Sequence, residues 1–120
     1  MSSLPLVQSC TPLARPTLSD AQAAELEQVF KALADRHRVK LLNLLVRADD
    51  QAVCVCDLVE TLQLKQPAVS YHLKQLVDAG LVTRQRRGTY SYYRLAPGAL
   101  SGVAALLAEQ TELAQAGRPA

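Results

Sequence analysis

No stretch of this chain approaches the roughly 20 consecutive apolar residues of a membrane-spanning helix, which excludes an integral membrane role. The opening residues, MSSLPLVQSCTPLARP, hold no Lys or Arg before Arg15 and no long apolar centre. They do not read as a secretory leader, and the cytoplasm, where thiols stay reduced, is the expected location. Cysteine is scarce: three residues, an odd number that fits no closed disulfide framework. None is needed for folding, because a single domain of 120 residues buries well over half of its unfolded surface. The glycines, Gly80, Gly88, Gly98, Gly102 and Gly117, never gather into a phosphate-cradling loop. No C-x-x-C stands beside a βαβ pattern. A small thiol enzyme, which needs such a loop or a base paired with its cysteine, finds no support. Internal repeats and low-complexity segments are also missing.

What is present is unevenly spread. The formal net charge is only +2, yet Lys65, Lys74, Arg84, Arg86, Arg87 and Arg94 share residues 63–94 with a single acid, Asp78. The rest of the chain is acidic on balance. Tyr71, Tyr90, Tyr92 and Tyr93 fall in the same basic stretch. A basic segment on an acidic body is an electrostatic footprint for nucleic acid; a solvated surface with chance clustering is the plainer reading of charge alone.

The order of elements decides between them. Pro5, Pro12 and Pro16 make residues 1–18 an arm, which carries Cys10. Ser19 reads as the N-cap of a first helix over about 20–34, with Leu26, Val29, Phe30 and Leu33 at helical spacing. Asp35 caps a second helix whose buried face is expected to include Val39, Leu42 and Leu45, and whose run Leu41–Val46 is apolar almost all round. Asp49-Asp50 is a turn. A short third helix starts near Cys56 or Asp57 with Leu58 and Leu62. A fourth follows Lys65, a poor N-cap, with Pro67 in its first turn and Gly80 beyond its end. Its inward stripe is Val69, Leu73, Leu76 and Val77. Two β-prone runs, 81–86 and 90–95, flank Arg87-Gly88-Thr89 as a hairpin. Pro97 opens a last helix to about 113, with Leu100, Val103, Leu106 and Leu107, and residues 114–120 form a frayed tail. The fold class is thus mainly α with a β-hairpin wing, a winged helix-turn-helix in the order α-α-α-α-β-β-α spanning 19–113. The outer face of the fourth helix offers Gln66, Ser70, Tyr71 and Lys74 to base edges and phosphates. The hairpin offers Arg84, Arg86 and Arg87 to phosphates or a narrow minor groove.

"VCVCDLVETL" places Cys54 and Cys56 at the start of the third helix. Soft thiolates select soft ions: zinc, cadmium, lead, copper(I) and, by the same logic, arsenite and antimonite. Trivalent arsenic completes its valence with a third sulfur, and Cys10 is the remaining candidate, from its own or the other subunit. On an ideal helix residues i and i+2 point roughly 200° apart, so chelation by Cys54 and Cys56 requires the residues around Val55 to be extended, or to leave the helix on binding. Competing readings are buried packing for Cys54 and Cys56 and an incidental thiol for Cys10. A redox pair is disfavoured, since cysteines two apart make a strained disulfide. His37 and His72 read as structural or DNA-facing rather than as metal ligands.

The segments "FKALADRHRVKLLNLL", "CVCDLVETLQLKQPAVSYHLKQLVDAGLV" and "RRGTYSYYRL" resemble the ArsR/SmtB metal- and metalloid-responsive repressors over about residues 25–107. "CVCD" resembles above all the arsenic-responsive members, and next the cadmium/lead-responsive ones. The resemblance implies a homodimer formed through the first and last helices that binds operator DNA and lets go when arsenite or antimonite binds Cys10, Cys54 and Cys56. Cadmium or lead on the same thiols is the alternative, and a ligand-independent DNA-binding regulator a further one. This chain departs from the family pattern at Arg36, often Pro, and at Lys65, often Ser. It also has Val59 where one arsenic-responsive type continues as "CVCDLC". Family members that sense zinc or nickel use a His/Asp/Glu cluster on the last helix, where this chain has only Glu109 and Glu112.

Overall fold

The computed structural model describes residues 17–49 and 51–108. The arm with Cys10, Asp50, and everything from Glu109 onward, including the expected end of the last helix and the tail, lie outside the described residues. Helix α1 runs Asp20–Leu33, α2 Arg36–Arg47, α3 Val55–Leu62, α4 Gln66–Asp78 and α5 Ala99–Leu107; strands are β1 Val53–Cys54, β2 Val82–Arg87 and β3 Tyr90–Leu95.

Local chemistry sets the helix ends. Ser19 Oγ accepts from the Gln22 amide at 3.1 Å while Gln22 Oε1 accepts from the Ser19 amide at 2.9 Å, a reciprocal capping box. Asp35 Oδ1 accepts from the His37 and Arg38 amides at 2.8 and 3.2 Å and starts α2. α4 begins as its sequence foretold: Lys65 makes no side-chain cap, and Pro67 occupies the first turn. It ends firmly. The Gly80 amide donates to the Val77 carbonyl at 2.9 Å and the Leu81 amide to the Leu76 carbonyl at 3.0 Å, with Gly80 at φ +81°.

Beneath these caps lies one apolar core. Val29, Leu41, Leu45, Leu58, Val69, Leu73, Leu76, Leu81 and Leu106 are fully buried, so α1 to α5 and the first residues after α4 all close on the same centre. The sheet order is β1-β3-β2, antiparallel throughout, with Cys54 opposite Tyr92 and Arg87 opposite Tyr90 across the Gly88-Thr89 turn.

Four details depart from the sequence expectation. The wing is a three-stranded sheet, not a bare hairpin: Val53 and Cys54 pair with β3, a strand too short for its alternation to register. α3 starts at Val55 rather than Cys56 or Asp57, because Cys54 acts as its N-cap. Val39 is 52% exposed, not buried. With Arg36, Lys40, Asn43 and Arg47 it forms the outer face of α2, and Leu41, Leu42 and Leu45 face the core. α5 begins at Ala99 behind Gly98, at φ +75°, rather than at Pro97, and it buries Ala99, Gly102, Val103 and Leu106 while Leu107 is 57% exposed.

Candidate DNA interface and thiol site

Cys54 ends β1 in extended backbone (φ −67°, ψ 139°) and caps α3, its Sγ accepting from the Cys56 amide at 3.2 Å. That extended residue, next to Val55, relieves the angular problem of cysteines two apart. It folds the Cys54 side chain back over the first turn, and the two sulfurs meet in a disulfide with Cα atoms 5.2 Å apart. The sequence disfavours a disulfide between cysteines two apart as strained; the structure nevertheless joins Cys54 and Cys56. Cys54 is 6% exposed and sits in the core; Cys56 is exposed. Packing therefore accounts for Cys54 but not for Cys56. Cys10 lies outside the described residues. Among the described residues no group of three or more His, Cys, Asp and Glu side chains is placed to hold a metal ion.

Cys56 opens onto a cleft of about 430 Å³ shared with Gln66 and Ser70 of α4 and Arg86, Tyr90 and Ser91 of the wing. A second cleft of about 410 Å³ continues along α4, between Ser70 and Lys74 on one side and Arg84 and Ser91 on the other. Ser70 and Ser91 wall both. The structure thus gathers the predicted residues Gln66, Ser70, Lys74, Arg84 and Arg86 on one continuous surface, with Cys56 at one end.

Arg87 is separated from them. Strand alternation turns Arg84 and Arg86 to one face of β2 and Gln85 and Arg87 to the other. Arg87 lies 4.6 Å over the Tyr92 ring and donates to Gln85 Oε1 at 3.2 Å, while Arg84 Nε donates to Ser91 Oγ at 3.3 Å. Tyr71 is 57% exposed on α4. Lys74 Nζ is already engaged, 2.9 Å from Asp78 Oδ2. An exposed i,i+4 pair of this kind is worth only about 0.3–0.5 kcal/mol, too little to withhold Lys74 from a phosphate.

Sequence reasoning missed a polar cluster behind α4. Arg38 Nη1 lies 3.1 Å from His72 Nδ1, and Asp35 Oδ1 lies 4.0 Å from the same nitrogen. The His37 and His72 rings are 5.4 Å apart. Burial holds His72 below the usual 6.5, Arg38 and His37 adding to the effect and Asp35 opposing it. Burial acts to raise the Asp35 carboxyl, but the Arg38 and His37 amides and the charges of His72 and Arg38 outweigh it and hold the group below 3.8. The signal lay in the spacing of Asp35, His37 and Arg38 around one helix start, but nothing in the sequence pointed their partner to position 72.

No helix among the described residues is long and apolar enough to cross a membrane. Residues 35–84 match the family model described as bacterial regulatory protein, arsR family. The arsenical resistance operon repressor of Bacillus subtilis (strain 168) is 44% identical over 77 residues, 64% of this chain and 71% of that one. Among solved structures, the AntR antimony-specific transcriptional repressor superposes with a TM-score of 0.62 at 34% identity, covering 73% of this chain and 78% of that one. A homodimeric winged helix-turn-helix domain from Mycobacterium bovis superposes with a TM-score of 0.57 at 30% identity, covering 88% and 99%.

Proposed function

Because the chain belongs to the ArsR family of DNA-binding transcriptional regulators, we propose that it is a homodimeric repressor whose operator complex is released when arsenite or antimonite binds its cysteine thiolates. The observation that carries this reading is the shared cleft: Cys56 opens onto the same space as Gln66, Ser70 and Arg86. In the reduced protein the proximity that permits a disulfide presents two thiolates to one soft ion. Cys10 supplies the third sulfur, from its own or the partner subunit. An ion held there stands at one end of the DNA-facing surface and fixes the backbone that starts α3.

Gln66 and Ser70 meet base edges. Tyr71, Lys74, Arg84, Arg86 and Arg87 meet the backbone or the minor groove, Arg87 from the far face of the wing. Dimerisation uses α1, where Leu18, Ala23, Leu26 and Phe30 line an apolar groove of about 520 Å³, together with the exposed Leu107 of α5. The similarity to arsenical and antimony repressors favours a metalloid inducer over cadmium or lead. Operator release by arsenite, antimonite, cadmium and lead, measured by fluorescence anisotropy on reduced wild type and on the three single Cys→Ser variants, tests the reading. Release by the metalloids, lost in Cys54→Ser and Cys56→Ser and graded in Cys10→Ser, is expected. Release by cadmium or lead at lower concentration than arsenite would reassign the inducer.

A further inference from the structure

α4 has no side-chain cap at its start, so its orientation rests on its buried face, Val69, Leu73 and Leu76, and on lateral ties. The cluster behind it supplies one. Arg38 Nε donates to the Ala32 carbonyl at 2.8 Å and Nη2 to the Lys31 carbonyl at 3.4 Å, both at the end of α1. Its remaining arm reaches His72 Nδ1 at 3.1 Å. A guanidinium has donors only, so Nδ1 must be the acceptor, and the ring is neutral with its proton on Nε2. The ionisable groups acting on the ring are Asp35, Arg38 and His37; the Tyr71 ring meets its edge at 5.3 Å. The His72 side chain is only 13% exposed, so it faces inward while its neighbour Tyr71 faces out. His37 Nδ1 is buried beside it without a hydrogen-bond partner, and the Asp35 carboxylate lies 4.0 Å from His72 Nδ1.

We infer that Arg38 and His72 are positioning residues for operator recognition: Arg38, anchored on the end of α1, holds His72 and so fixes the rotation of α4 relative to the dimer helix. The inference rests on the DNA-binding reading above for its consequence, though not for the tie itself. Half-site spacing in a two-fold regulator depends on how each reading helix sits relative to the dimer axis, and this tie runs from α1 to α4 through one guanidinium. It also carries a proton switch. Protonation of His72 removes the acceptor, sets two cations against each other, and offers the ring to Asp35 instead.

His72→Gln keeps an acceptor and cannot protonate; His72→Ala keeps neither. At about pH 7.5 His72→Ala is expected to bind operator about tenfold more weakly with an unchanged salt slope, since no phosphate contact is lost, and His72→Gln to match wild type. Wild-type affinity is expected to fall as pH drops below 6.5 through the His72 titration, and His72→Gln to lack that step. In the free protein, nitrogen-15 NMR should show the Nε2–H tautomer of His72, and Arg38→Ala should raise its titration midpoint. Wild-type affinity and pH profile in both His72 variants, or a protonated Nδ1, would overturn the inference. Should wild type bind no operator at all, the repressor reading falls, and the tautomer and titration of His72 still decide the tie.

Discussion

Replacing Cys54 separates the helix cap seen in the structure from the soft-ligand role proposed for it. Its Sγ accepts the Cys56 amide at 3.2 Å, and sulfur is a weak acceptor. Serine is among the preferred N-caps, and losing such a cap to alanine costs about 1 kcal/mol. A hydroxyl placed where Cys54 is 6% exposed costs about 1–3 kcal/mol if it finds no partner, but the Cys56 amide is already aimed at it. Cys54→Ser is therefore expected to sit near the stability of the reduced wild type. Cys54→Ala, with no acceptor, should fall about 1 kcal/mol below Cys54→Ser. For a domain of this size that is a melting temperature lower by about 4 °C. Thermal unfolding followed by circular dichroism in reducing buffer reads this directly. Operator anisotropy with arsenite reads the other role: both variants bind DNA, and neither releases it at the wild-type arsenite concentration. Coincident melting of the two variants would show that the side chain at 54 does not cap α3. Arsenite release from Cys54→Ser at wild-type concentration would place the inducer elsewhere.

Arg84→Ala, Arg86→Ala and Arg87→Ala should each weaken binding on all sequences and lower the salt slope by about 0.9, or about 3.5-fold less salt sensitivity between roughly 50 and 200 mM salt. Gln66→Ala or Ser70→Ala should shift sequence preference instead, and unchanged slopes in all three arginine variants would remove the wing from the interface. Phe30→Asp, placed in the apolar groove of α1, is expected to yield a monomer by sedimentation at micromolar concentration; a dimer unchanged by it would put the interface on another face. Folding stability should be full above pH 6.5 and fall on acidification, first as the lowered His72 group takes up its proton and again below 3.8 as Asp35 does, because the unfolded chain binds each proton first. Urea midpoints measured across this range check it, and His72→Gln should lose only the upper step.

The winged helix-turn-helix was legible because its signals are local and periodic. The capping residues Ser19 and Asp35 start α1 and α2, Gly80 stops α4, and Gly88 turns the wing, each read from one or two residues. The misreadings come from tertiary context. Val39 is apolar and at helical spacing, yet α2 turns Leu41 and Leu45 inward and leaves Val39 among Arg36 and Lys40. β1 is two residues long and exists only because β3 offers an edge. Charge alone grouped Arg84, Arg86 and Arg87, and only strand alternation divides them. For the thiols, the spacing of two calls for extended backbone around Val55, and the structure supplies it at Cys54. The Arg38–His72 contact joins positions 34 apart, and no periodicity reports such a pair.

In the proposed repressor, the position of the thiols accounts for how so small a ligand could act on DNA. Cys54 belongs to three elements at once: it pairs with Tyr92 in the central strand of the wing, caps α3, and lies in the core. Cys56, two residues on, opens beside Gln66 and Ser70 of α4. An inducer releases DNA only by its difference in affinity for the free and bound states, and a coupling of about 1–3 kcal/mol suffices for a 5- to 150-fold effect. A single N-cap is worth about 1 kcal/mol, and a cross-strand pair up to about 1 kcal/mol. Redirecting the Cys54 sulfur from the Cys56 amide to an ion disturbs interactions of that total size, at the junction of wing and reading helix. No rearrangement of the core is required. A structure of the metalloid-bound protein in which the Cys54–Cys56 amide contact and the Cys54–Tyr92 pairing both persist unchanged would leave occlusion of the cleft beside Cys56 as the remaining route to release. Substituents of increasing size on Cys56, attached in the absence of any ion, would then have to reproduce the loss of DNA.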